Sequence, residues 1–195
     1  MKNDTKSRLI EEAEVLFSKN GFYGTSINDV AKTLGVSKQA LLHHFTTKEK
    51  LYAAVLEQAA NHLLQQLDSI KQNHIVAKQQ LREFILEIAQ PNKKQLRVII
   101  LLLRELLDNQ ERADKVSKWF LRPWLDSLVG IVEQAQHDGY YEQYDPMAFL
   151  YHLLGAVQYF LISQPTLKQL YGKEKFESHK KAHMALLVNI VEGTR

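Results

Sequence analysis

The stretch GTSINDVAKTLGVSKQALLHHFTTK, residues 24–48, decides the fold. Ser26 can cap a first helix, with Asp29 three residues on as its capping-box partner. Ile27, Val30, Ala31 and Leu34 then recur at the spacing of one buried helical face. Gly35 follows at once, where a helix most readily ends in the left-handed conformation. Ser37 can cap a second helix whose inward residues are Leu41 and Phe45. So little chain separates the two that only a sharp turn fits, as in a helix-turn-helix. Ala31 is small where the helices must cross. Two unremarkable surface helices would share the caps and the glycine, but not the outward face of the second helix. That face carries Lys38, Gln39, Leu42 and His43: a cation, a bidentate amide, a methyl-rich side chain and a titratable ring. Such groups suit phosphates, purine edges and a thymine methyl in a DNA groove.

On these residues the chain resembles the TetR family of transcriptional regulators. The similarity runs from about Leu9 to Val55. It rests on Gly21-Phe22, Thr25-Ser26, Val30-Ala31, Gly35-Val36-Ser37-Lys38, Leu41, His43-His44-Phe45, Lys48 and Leu51. The resemblance implies an all-α homodimer with an N-terminal DNA-binding head and a larger helical body that binds a small effector. It also implies phosphate contacts at Ser26 and Lys48, and major-groove positions at Lys38, Gln39, Ala40 and His43. Two departures matter: Leu42 stands where the family usually has a DNA-contacting tyrosine, and Gln39 where it often has glycine. The docking mode therefore carries over further than any base assignment.

At 195 residues the chain can bury a real core, in one large domain or two small ones. Hydrophobic content of 45% and charged content of 24% match an ordinary soluble globular protein. No apolar run approaches the roughly 20 residues of a membrane span. The N-terminal residues lack the apolar stretch of a secretory signal. The absence of cysteine excludes disulfides, thiolate zinc sites and cysteine nucleophiles. A bacterial cytoplasm is the expected compartment, with no membrane partner. Net charge is only +3, and residues 1–50 hold eight Lys or Arg against six Asp or Glu. The acids gather at Glu11, Glu12 and Glu14, however, while Lys38, Lys48, Lys50, His43 and His44 surround the second short helix. Distribution thus supports DNA binding better than the total does.

Eight glycines and four prolines leave a strand-and-turn architecture without its punctuation, and no segment alternates with period two. The chain reads as all-α. A first helix is expected over about 5–19, with Leu9, Ile10, Ala13, Leu16 and Phe17 buried, ended by Gly21. Thr46 and Glu49 form a capping box for a long fourth helix reaching about residue 72. Further helices are expected near 74–90, 94–110, 116–138, 145–163 and 174–192, with Pro91, Gly139, Pro165 and Gly172 at breaks. Residues 1–50 form the expected helix-turn-helix domain, and 51–195 the effector-binding and dimerisation domain.

The 145–163 helix is apolar almost all round, so it is buried on two sides. One side can face its own chain and the other a second copy. Phe149, Leu153, Val157 and Phe160, with His183, Leu187 and Ile190 of the last helix, are the expected dimer interface. A central helix in a monomer would show the same periodicity.

The chain has no Gly-x-Gly-x-x-Gly, phosphate-binding loop, Gly-x-Ser-x-Gly or His-Glu-x-x-His, so no enzyme and no cofactor is expected. His179 and His183 stand four apart, but two nitrogens do not fill a zinc shell, and no metal site is expected. Trp119, Phe120 and Trp124 form an aromatic cluster that suits core or the wall of an apolar pocket. His62 and Gln66 interrupt the inner face of the linking helix, and Tyr151 and Gln158 offer polar groups in the body. Together with Phe120 and Trp124 these are the candidate effector contacts; an ion pair of Arg104 with Asp108 is a surface feature.

The expected function is a sequence-specific, homodimeric transcriptional regulator, a repressor released from a palindromic operator by a largely apolar small molecule. The alternative is an architectural DNA-binding protein with no small-molecule input. An all-α enzyme lacks any nucleophile or metal shell, and a pure protein-interaction module leaves the lysines around the second helix unexplained.

Overall fold

The computed structural model describes residues 2–108 and 120–193. Among them lie nine helices and no strand: α1 Lys2–Asn20, α2 Ile27–Thr33, α3 Lys38–His44, α4 Lys48–Asn73, α5 Ala77–Ala89, α6 Lys93–Asp108, α7 Arg122–His137, α8 Pro146–Tyr171 and α9 Lys173–Glu192. The chain divides into two compact units. One comprises Met1–His62 with Asn92–Phe120, the other Leu63–Pro91 with Leu121–Arg195. α4 supplies residues to both, and α6 joins the N-terminal unit although all of α5 separates them in sequence.

In the first unit the α1 stripe of Leu9, Ala13 and Phe17 is buried, as are Val30, Ala31, Leu41, Phe45, Leu51 and Val55. α1 packs on α2 and on α6, and α2 on α3. Polar ties fix α6 in place. Arg97 stands 3.5 Å from Glu14, whose carboxylate is buried, and Arg104 donates to the Lys19 carbonyl at the end of α1 at 3.1 Å. These arginines are seven apart, two turns along one α6 face. The expected partner of Arg104, the Asp108 side chain, lies outside the described residues.

In the second unit α5 packs against α7, α8 and α9, with Leu81, Phe84 and Ile85 in its core. Asp145 caps α8 by accepting from Ala148 N–H at 2.8 Å, with Pro146 at the first helical position. α8 then passes the expected break at Pro165 and runs to Tyr171, ending at Gly172 with φ 75°. Proline costs one main-chain hydrogen bond, and the buried row Phe149, Leu150, Leu153, Leu154, Val157 and Leu161 offsets that loss. Averaged over an 18-residue window, α8 has a mean hydropathy of 1.3, enough by length and composition to cross a membrane. The expectation that no apolar stretch is long enough does not hold for α8 by composition. The buried row nevertheless packs on α5, α7 and α9 of its own unit.

The expected dimer residues divide. Phe149, Leu153, Val157 and Leu187 are between 0% and 6% exposed and have no surface left for a partner. Phe160, His183 and Ile190 are half-buried. The outward apolar groups of α8 include Tyr151, Tyr159 and Ile162. Periodicity cannot say which side of an all-apolar helix faces its own chain.

Candidate nucleic-acid interface

Local chemistry explains each turn of the head. Ser26 accepts from Asp29 N–H at 3.1 Å, while the Asp29 carboxylate accepts from Ser26 N–H at 2.9 Å: a full capping box. The Ser26 hydrogen bonds hold the Asp29 carboxyl below its ordinary range. α2 ends as a Schellman motif. Val36 N–H donates to the Ala31 carbonyl at 3.0 Å and Gly35 N–H to Lys32 at 3.1 Å. Gly35 has φ 67°, a conformation that strains a side chain. Ser37 starts α3 by accepting from Ala40 N–H at 3.1 Å. Buried Thr25 adds a hydroxyl hydrogen bond to the Gly21 carbonyl at 2.9 Å, pinning the turn ahead of α2.

These anchors set the outward face of α3. Leu41 is 0% exposed and Phe45 4%, so the helix is fixed by its inner side. Lys38, Gln39, Ala40 and His43 are exposed and Leu42 is half-buried. Ser26 is exposed at the start of α2. Ile27 and Leu34, expected inward, are only half-buried because α2 spans just two turns over the core. The His43 and His44 rings meet edge-on at 5.8 Å. Asn28, Lys32 and Lys38 border an open groove of about 510 Å³ between α2 and α3.

The start of α4 is shifted by one residue from expectation. Thr47, not Thr46, accepts from Lys50 N–H at 3.3 Å, and α4 begins at Lys48. Glu49 bonds to its own N–H and to the Thr47 side chain, which hold its carboxyl below the usual range. Lys48 places its ammonium 4.2 Å from the centroid of the Phe22 ring. Sequence reasoning missed that role of Phe22, since no periodicity relates residues 22 and 48.

The candidate effector residues differ in burial and in their contacts. Trp124 is buried, edge-on to Phe84 at 5.9 Å, and its indole N–H has no partner among the described residues. Phe120 lies ahead of α7 and is 37% exposed, and Trp119 lies outside the described residues. Gln66 donates to Glu87, and His62 and Gln158 are half-buried. Tyr151 is 54% exposed, so it faces outward rather than into a cavity. His179 meets Tyr171 edge-on while His183 stacks on Phe160 at 4.1 Å, so the two imidazoles go to different aromatic partners.

Residues 9–55 match the family model described as bacterial regulatory proteins, tetR family. Over 69 residues the chain is 32% identical to the Staphylococcus epidermidis protein named biofilm operon icaADBC HTH-type negative transcriptional regulator IcaR. That match covers 35% of this chain and 36% of the relative; the Staphylococcus aureus counterpart is 38% identical over 47 residues, 25% of its length. The chain thus spans about a third or less of the length of the curated relatives it matches. Solved structures share the fold at much greater extent. FadR from Bacillus subtilis, in complex with stearoyl-CoA, superposes with a TM-score of 0.73 at 18% identity, over 94% of this chain and 98% of FadR. A transcriptional regulator from Saccharomonospora viridis in complex with choline gives 0.72 at 18% identity, over 95% and 96%.

Proposed function

We propose that the chain is a cytoplasmic, homodimeric repressor of the tetR family of bacterial regulatory proteins, whose model matches residues 9–55. In this proposal it releases a palindromic operator when a small molecule binds its body. The observation that carries the proposal is the two-sidedness of α3, with Leu41 and Phe45 locked inside while Lys38, Gln39 and His43 stand in solvent. A rigid helix presenting a cation, an amide and an imidazole has the donors and acceptors that base edges and phosphates require. In the same reading Ser26 and Lys48, at the starts of α2 and α4, contact phosphates. Two such heads on a two-fold axis dock in successive major grooves, which makes the site an imperfect palindrome. The outward row Tyr159 and Ile162 of α8, with Leu186 of α9, supplies the apolar surface for the second copy.

Ligand-bound neighbours motivate the effector: stearoyl-CoA in FadR and choline in the Saccharomonospora protein. Trp124 and Gln158 remain the body residues proposed to face it. An effector releases DNA only to the extent that it prefers the body conformation with the wrong head spacing. Selection of bound duplexes from a randomised pool tests the proposal. Enrichment of a two-fold-related motif supports it, and a pool that stays random would falsify it.

A further inference from the structure

Lys48 is held by an aromatic stack that reaches back to α6. Phe22, in the turn after α1, has its ring 5.0 Å from Tyr52, 6.2 Å from Phe17 and 5.4 Å from Tyr23. Tyr52 is buried, and its hydroxyl donates to the buried Glu105 carboxylate of α6 at 2.8 Å. The ring under the Lys48 ammonium is therefore braced from behind by a side chain that cannot swing.

Resting on the regulator function above, we propose that Phe22 is the positioning residue for Lys48, presenting its ammonium to a DNA phosphate. The negative face of a benzene ring attracts an ammonium and offers it no hydrogen-bond acceptor. The lysine N–H donors turned away from the ring stay open for phosphate oxygens. A free lysine loses much rotamer freedom on being fixed by a phosphate, and one already held over a ring loses less. Leucine at position 22 fills similar space but has no quadrupole, so it keeps the packing and removes the attraction.

The test uses the full chain and the variants K48M, F22L, F22W and F22L/K48M. Each is titrated by fluorescence anisotropy against a mixed-sequence duplex spanning several helical turns, across a range of salt. K48M is expected to weaken binding and to reduce the slope of log affinity on log salt by about 0.9 per protomer. F22L is expected to weaken binding about threefold per protomer, to add nothing in the K48M background, and to be rescued by F22W. The Lys48 ε-methylene proton shift, moved upfield by the ring, is expected to return to its free value in F22L and not in F22W. Equal weakening by F22L with and without Lys48 overturns the inference, as does an F22L that binds like wild type. A K48M that binds like wild type also overturns it, while leaving the regulator function standing. A wild-type chain that binds no duplex at any salt defeats both.

Discussion

Leu41 has no exposed surface, and with Phe45 it fixes which side chains of α3 face outward. Leu41→Ala is expected to cost about 2–5 kcal/mol, measured by urea unfolding, because the head around it is too small to collapse fully. His183 makes a prediction of opposite chemical character. Burial holds its imidazole below the ordinary value of 6.5, and its Nε2 has no partner among the described residues. The unfolded chain takes up a proton as pH falls through 6.5 while the folded chain resists, so stability is lost below 6.5 and unaffected above. His183→Phe, which can keep the stack on Phe160, is expected to flatten the fall in Tm between neutral and mildly acid pH. An identical fall in the variant contradicts this role for the imidazole. Single residues with local roles were legible in sequence: Ser26 with Asp29, the turn at Gly35, and Ser37 as a cap. The partnership of Phe22 with Lys48 was not, because it is made only when the turn after α1 meets the start of α4.

At the scale of elements, α8 and α6 depart most from what sequence shows. Local propensity marks Pro165 as a break, yet α8 continues through it. Pro165 is exposed, and replacing it with alanine restores the missing hydrogen bond without disturbing the core. Pro165→Ala is expected to raise stability by about 2 kcal/mol in chemical denaturation; a loss would mean that the proline shapes the helix in a needed way. The helical period of α6 was legible, but its allegiance to α1 was not, since Arg97 with Glu14 and Arg104 with the Lys19 carbonyl span most of a hundred residues. Arg97→Ala strands the buried Glu14 carboxylate and is expected to cost about 1–3 kcal/mol. Adding Glu14→Gln to Arg97→Ala is expected to recover part of that loss, whereas strict additivity contradicts the pairing.

For the whole molecule, the helical class and the head were readable because caps, glycines and periodicity all act within a few residues. Which side of α8 faces its own core was not readable, because Leu153 and Ile162 are both fully apolar and only packing tells inner from outer. Tyr159→Glu with Ile162→Glu is expected to shift the chain toward a 22.6 kDa species in analytical ultracentrifugation, and to weaken DNA binding with it. An unchanged dimer would place the interface elsewhere. The central claim, that α3 reads base sequence, is tested most directly by repeating the duplex selection with Gln39→Ala and His43→Ala. Each variant is expected to bind with relaxed preference at one position in each half-site, each lost contact being worth about 1–3 kcal/mol of discrimination. Variants that select the same motif as the wild type, at the same strength, would show that α3 does not read the bases.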